Sequence, residues 1–386
     1  MKNQIDDLLR RAADAGNVPG VVAMVTNRDS TVYEGAFGKR SLDSDELMTL
    51  DTVGLIASMT KAVTATAALQ LLEQGRVDLE SPASKWLPAL GEVQVLEGFS
   101  SNGQPRTRAP KRPVTLRHLL THTSGFGYEF LNEAIPKYQA VSNVPSALSG
   151  ELALLRLPLL FDPGERWEYG IGLDWVGQIV EAVSGQKLGD YFSQNIFAPL
   201  DMHDTAFKMT PAMQARKAKI HQRGDDGRLI PLELEMPQQP GFEMGGAALY
   251  GTAGDYLKFV RMFLNRGAAT HGRVLKAETV DLLSRNQIGE LNVPSTKSVN
   301  RMLSNDMLLP PDIPHKWGLA HLINTKRFLT GRAAGSLMWA GLTNAYYWID
   351  PETGVGGVFL TQILPFADIK AMPLFFEFEY TVYQNL

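Results

Sequence analysis

The sequence contains no cysteine, which excludes disulfides, a thiolate nucleophile and Cys-based metal sites. Long apolar runs are missing too: no stretch approaches the ~18–20 residues needed to cross a bilayer. Nor does one sign of charge dominate. Lys and Arg total 37 against 41 Asp and Glu, a net of −4 with no block of like sign. Neither a nucleic-acid footprint nor an anchor for an anionic membrane is therefore expected. The opening segment Met1–Gly16 lacks the unbroken apolar core of ~7–15 residues that a secretory signal requires, because Asp6, Asp7, Arg10 and Arg11 interrupt it. The expectation is a cytoplasmic protein, unless an export segment has been removed.

What is present is an ordinary globular composition, 44% hydrophobic and 20% charged over 386 residues. That length exceeds the ~250–300 residues at which single cores stop growing, so two lobes are expected. Ile5, Leu8, Leu9, Ala12 and Ala13 recur at helical spacing. Gly20–Thr26 and Thr31–Phe37 read as strands of a hairpin around the polar turn Asn27–Ser30. Ser58–Gln74 is the clearest helix, with Gly75 at its stop. From Pro82 to about Asp225 helical patterns such as Leu173–Val183 alternate with loops, and strand-like runs are scarce. Asp255–Asn265 then reads as a helix, Tyr346–Asp350 and Gly356–Thr361 as strands, and the tail from Asp368 as a packed helix. The expected fold class is α/β in the α+β sense, an antiparallel sheet flanked by helices plus a mainly helical lobe. Residues 1–81 and 226–386 would form the α/β lobe and residues 82–225 the helical one. The cleft between them is the expected ligand site.

The chemistry concentrates in Ile56-Ala57-Ser58-Met59-Thr60-Lys61-Ala62. Positions three apart share a helix face, so the Ser58 hydroxyl and the Lys61 amine come within reach of each other. A hydroxyl needs such a base, and a neutral amine can serve as one. Burial and the positive end of the helix would keep the amine uncharged. The same helix end offers backbone N–H groups to a developing oxyanion. By itself the pattern Ser-x-x-Lys also fits a helix cap followed by a solvated lysine. Its setting among Ala57, Met59, Ala62 and Val63 favours a buried pair.

Further segments in a fixed order carry a resemblance. They are Ser58–Lys61, Leu119–Gly125 (LLTHTSG), Phe161–Tyr169 (FDPGERWEY), Gly245–Asp255 (GGAALYGTAGD) and Trp339-Ala340-Gly341. With them the chain resembles the serine β-lactamase and penicillin-binding-protein superfamily, in its class C-like branch that includes family VIII carboxylesterases. The likeness runs from about residue 5 to the C-terminus. It implies Ser58 as the acylated nucleophile, Lys61 as its base partner and Tyr169 as the second-motif tyrosine, held between them to pass protons, with nearby cations favouring its phenolate. It also implies the backbone N–H groups of Ser58 and Leu342 as an oxyanion hole. Trp339 and Gly341 would line the pocket, and Tyr128 would form a wall at the cleft rim.

Two departures bear on the substrate. Where class C β-lactamases have Tyr-x-Asn, this chain reads Tyr169-Gly170-Ile171, and where they have Lys-Thr-Gly it reads Trp339-Ala340-Gly341. Both changes remove polar anchors for an anionic antibiotic and favour a neutral, apolar ester, with Ile171 on the substrate side. The expected activity is hydrolysis of short- to medium-chain carboxylic esters through an acyl-enzyme. An acyltransferase, a D-aminopeptidase-type hydrolase or a weak β-lactamase would use the same residues. A non-catalytic scaffold is the alternative of another class.

Other signals are weaker. His118 and His122 have the four-residue spacing of a helical zinc pair but lack the intervening Glu, so no metal is expected. Gly170-x-Gly172 lacks the remaining glycine of a dinucleotide loop. No Gly-x-Ser-x-Gly elbow occurs, which disfavours an α/β-hydrolase fold. No cofactor is implied. The expected partner is a small-molecule ester, with no nucleic acid and no membrane, and a homodimer is the default from base rates.

Overall fold

The computed structural model describes residues 1–386. Its centre is a seven-stranded antiparallel sheet. Helix α1 (Lys2–Asp14) precedes strands β1 (Gly20–Thr26) and β2 (Thr31–Gly38). The other five strands come from the C-terminal third: β3 (His315–Trp317), β4 (Leu322–Asn324), β5 (Leu337–Gly341), β6 (Ala345–Asp350) and β7 (Val355–Leu360). Their order is β2-β1-β7-β6-β5-β4-β3. The two ends of the chain thus meet at the β1–β7 pair, where Val22 lies opposite Leu360.

Every residue of β1, β6 and β7 is buried, so these strands show no polar alternation. Both faces of the sheet are covered, and the strands accordingly read as near-continuous apolar runs. Val21, Ala23 and Val25 face one side with Tyr346, Trp348 and Phe359, under α1 and the terminal helix. Val22 and Met24 face the other side with Tyr347, Ile349 and Val358, in the main core. Gly357 is required there: a Cβ would sit 2.1 Å from the Trp348 ring.

Helix α2 (Thr60–Glu73) runs through the main core, with every residue from Thr60 to Leu71 buried. Apart from Lys61, Gln70 and Glu73 its residues are apolar or small, as expected of a helix surrounded by core. It packs against α3 (Gly172–Ser184) of the helical lobe. Helix α4 (Ala253–Leu264) crosses the sheet, and α5 (Ala371–Tyr383) closes the chain beside α1. No helix is long and apolar enough to cross a membrane.

Within residues 82–225 the structure adds a hairpin, Val95–Phe99 with Pro105–Arg108. Its second strand is largely exposed and polar, so no hydrophobic period marks it. Ile220–Arg223 pairs in parallel with Ile363–Leu364, in a separate three-stranded sheet completed by Leu229–Leu232. The helix predicted from Ser58 begins its α-helical hydrogen bonding at Thr60, with a 3-10 turn over Ala57–Met59 ahead of it. That turn bears on the site.

Candidate active site

Ser58 sits in the 3-10 turn between the short strand Gly54–Leu55 and α2. Ala57, just before it, adopts a left-handed φ of 44°. An L-residue visits that region at a cost and persists there only when its surroundings enforce it. The strand-to-helix corner leaves Ser58 half-buried at a pocket edge, whereas Lys61, one turn on, is 1% exposed.

The Lys61 amine has three partners. Its Nζ lies 3.1 Å from Ser58 Oγ, 3.0 Å from the Tyr128 hydroxyl and 2.6 Å from the Gly246 carbonyl oxygen. As an ammonium, Lys61 donates to all three. As a neutral amine it has two N–H bonds and one lone pair. With the Gly246 carbonyl and the Tyr128 oxygen accepting the N–H bonds, the lone pair is left facing the Ser58 hydroxyl. Burial pushes the Lys61 pKa down, to about 7, while the nearby Asp174 carboxylate pulls it upward. The amine is therefore poised to exist uncharged near neutral pH.

Tyr169 closes the other side. Its hydroxyl accepts a hydrogen bond from Trp339 Nε1 at 3.1 Å and lies in hydrogen-bonding contact with Ser58. Its ring stands 4.6 Å from Lys61 Nζ, centroid to atom. Burial drives its pKa upward, and its contacts with Ser58 and Trp339 offset this in part. At rest Tyr169 is a neutral phenol, which corrects the expectation of a favoured phenolate. The one cation within reach is too weakly charged near pH 7 to reverse the desolvation of a fully buried ring.

The three residues singled out by sequence, Ser58, Lys61 and Tyr169, thus converge. Two other expectations do not hold. Tyr128 is not a rim residue: it is buried, stacked beside Phe130 and 5.2 Å from the Tyr169 ring, with its hydroxyl on Lys61. Ile171 does not touch the pocket; it caps α3 with its side chain wholly in the main core.

Trp339, Gly341 and Leu342 border the pocket, as expected, together with Ser58 and Tyr169. Gly341 is there because strand β5 presses against the Ser58 turn. A Cβ on it would stand 2.3 Å from the Ile56 carbonyl oxygen. Trp339 is held edge-on by Trp317, whose ring centroid lies 4.6 Å away. The pocket encloses about 940 Å³, counting its open mouth, and 16 of its 22 bordering residues are hydrophobic. Met307, Phe328, Met338, Met372 and Phe376 supply much of the wall. No Lys or Arg borders it, and His315, the basic side chain that does, has its pKa lowered by burial.

The two histidines have separate duties. His118 completes a capping box with Thr115, and His122, at a left-handed φ of 57°, accepts from Gly170 N–H through Nδ1 and packs against Tyr169 and Trp317.

Sequence reasoning passed over two members of this cluster, Gly246 and Asp174. Asp174 falls in the first turn of α3, where an acid reads as an ordinary complement to the helix dipole. Gly246 contributes only backbone.

Fold and site together define a hydrolase or acyl-transfer enzyme. The chain belongs to the Beta-lactamase family, whose model matches residues 5–374. It is 33% identical to monacolin J acid methylbutanoyltransferase of Aspergillus terreus, over 98% of this chain and 95% of that protein. It is 32% identical to lovastatin esterase of Penicillium rubens, over 95% of this chain and 96% of that protein. Among solved structures, unliganded simvastatin synthase (LovD) from Aspergillus terreus superposes with a TM-score of 0.86 at 31% identity, covering 99% of this chain and 98% of that one.

Proposed function

We propose that the protein is a serine carboxylesterase of the family VIII type, hydrolysing neutral short- to medium-chain esters through an acyl-Ser58 intermediate. The observation that carries this reading is the three-way grip on Lys61, which directs an uncharged amine at Ser58 Oγ on the edge of an apolar pocket. Ser58 Oγ attacks the ester carbonyl carbon as its proton passes to Lys61 Nζ. The carbonyl oxygen becomes an oxyanion, facing the backbone N–H groups of Ser58 and Leu342. The carbon–alkoxy bond then breaks, and the leaving alkoxide takes a proton from the Tyr169 hydroxyl, which Lys61 replenishes. Water enters on the same face, loses a proton along the same path and releases the acid, restoring Ser58.

An acyltransferase reading is favoured by a specific observation: similarity to the methylbutanoyltransferase is as high as to the esterase. In that case an alcohol replaces water in the second half-reaction. A β-lactamase or D-aminopeptidase-type activity has less support, since the pocket wall holds no Lys or Arg for a substrate carboxylate. A non-catalytic scaffold would have no use for a buried lysine aimed at a half-exposed serine.

The test is intact-mass detection of an acyl adduct from a p-nitrophenyl butyrate-type ester, mapped to the Ser58 peptide and absent in Ser58→Ala. Full turnover by a folded Ser58→Ala protein refutes the proposal. Product analysis with and without an added alcohol separates hydrolysis from transfer, and nitrocefin reports any β-lactamase activity.

A further inference from the structure

Asp174 is a buried acid that the proposed reaction steps leave unused. It lies in α3, is 0% exposed, and accepts a hydrogen bond from Gly246 N–H at 2.9 Å through Oδ1. Its second oxygen, Oδ2, is buried without a hydrogen-bond partner. The same Gly246 receives Lys61 Nζ on its carbonyl oxygen. One residue is thus gripped at its N–H by α3 and at its C=O by α2. The neighbouring Gly245 carbonyl is also held from α2, by the Thr64 hydroxyl at 2.6 Å. Residue 246 must be glycine, because a Cβ would stand 2.6 Å from Asp174 Oδ2.

An ionised carboxylate with one hydrogen bond and an orphan oxygen is costly in a protein interior unless a cation answers it. The groups around this acid narrow the choice. From α2 it faces Lys61. Beyond Lys61 stand Tyr128 and Tyr169, both held as neutral phenols by burial, and His122, which burial and Lys61 keep uncharged. Glu129, next to Tyr128, has an oxygen engaged by Ser146 and Ala147. Lys61, once protonated, is therefore the one cation among these groups that can answer Asp174.

We propose that Asp174 is the positioning residue of the proton path: it fixes Gly246, whose carbonyl orients Lys61, and supplies the counter-charge for the ammonium that forms when Ser58 gives up its proton. Before attack, with Lys61 a free base, the carboxylate has only the Gly246 N–H, and burial raises its pKa, to about 6; on proton transfer from Ser58 Oγ to Lys61 Nζ, the new cation answers it across Gly246. Asp174 gains and loses no proton in that step. The proposal rests on Lys61 being the base, and its experiment has a part that does not depend on that role.

The first variant is Asp174→Asn, whose side-chain oxygen retains the bond from Gly246 N–H while the charge is removed. A nearby opposite charge shifts a pKa by about 1–3 units. The acidic limb of kcat/KM is expected to move about 1 unit or more to lower pH, because an amine without its counter-anion loses its proton sooner. The plateau is expected to fall about tenfold or more, because a weaker base transfers the proton less well. A change confined to structure would lower the plateau and leave the limb where it was; that outcome, or an unchanged profile, overturns the proposal.

The second part reads stability and needs neither activity nor a folded Asp174→Asn. In Lys61→Met the carboxylate loses its cation, so burial raises its folded pKa further above the unfolded value. Stability is then present below the unfolded pKa and lost as pH rises through the folded one. Lys61→Met is expected to melt on the order of 3 °C or more below Lys61→Met/Asp174→Asn at pH 8, the gap closing toward pH 5. Equal melting temperatures at both pH values overturn the counter-charge whatever the reaction proves to be. A failure of the ester assay with this gap intact would instead count against the proposed function.

Discussion

Replacing Gly341 by alanine tests the proposed oxyanion geometry without touching a polar side chain. The new Cβ would fall 2.3 Å from the Ile56 carbonyl oxygen and 3.1 Å from its carbon. Ordinary van der Waals contact starts near 3.4 Å, so the β5 end and the Ser58 turn must part by about 1 Å. Both obstacles are backbone, and neither can rotate away. The strand is paired with β6 up to Gly341–Ala345, which holds its other side. The displacement therefore falls on the gap between the N–H groups of Ser58 and Leu342. A misplacement of about 1 Å at reacting atoms costs on the order of 100-fold in rate, and losing an oxyanion donor about 100- to 1,000-fold. Overpacking adds about 1–3 kcal/mol of instability. The expected result is a folded protein with a melting temperature lower by a few degrees, kcat for p-nitrophenyl butyrate down about 100-fold, and slower formation of the acyl adduct seen by intact mass. A folded Gly341→Ala enzyme with wild-type kcat would refute both the strand-to-turn contact as the source of the oxyanion site and the assignment of Leu342.

Three other outcomes follow from the same geometry. Trp339→Phe removes the indole N–H from the Tyr169 oxygen; a buried hydrogen bond is worth about 0.5–1.5 kcal/mol, so kcat/KM should fall about 2- to 10-fold, and no change would mean that Tyr169 needs no such orientation. In wild type kcat/KM should rise with pH through about 7, because burial lowers the Lys61 pKa to that value and the deprotonated amine is the active form; a flat profile from pH 5 to 9 would argue against Lys61 as base. Gly357→Val places a branched side chain where the Trp348 ring already lies 2.1 Å from the first carbon; thermal melting should show about 2 kcal/mol or more of lost stability, and an unchanged melting temperature would mean the sheet packing is looser than described.

Much of the site was legible before any coordinates. Ser58 and Lys61 share a helix face by spacing alone, and the apolar neighbours of Lys61 announced its burial. The order of motifs brought in Tyr169, Trp339, Gly341 and Leu342. Ile171 and Tyr128 were misread for one reason: a motif fixes where a residue lies along the chain and leaves open which way its side chain turns. At Ile171 the start of α3 points it into the core, and at Tyr128 the loop after Gly125 swings the phenol onto Lys61.

The sequence by itself determined the local terms: the buried runs of β1, β6 and β7, the helix behind Ser58, the want of any thiol, and the loss of polar anchors at positions 171 and 339. Those depend on composition and period, which a linear string records. Tertiary structure alone decided how Asp174, Gly246 and Lys61 meet, that Tyr169 rests as a neutral phenol, and that Gly341 is wedged against Ile56. Each of these arises from desolvation or close approach between segments tens to hundreds of residues apart. Burial sets the charge of an ionisable group, and burial belongs to the folded chain.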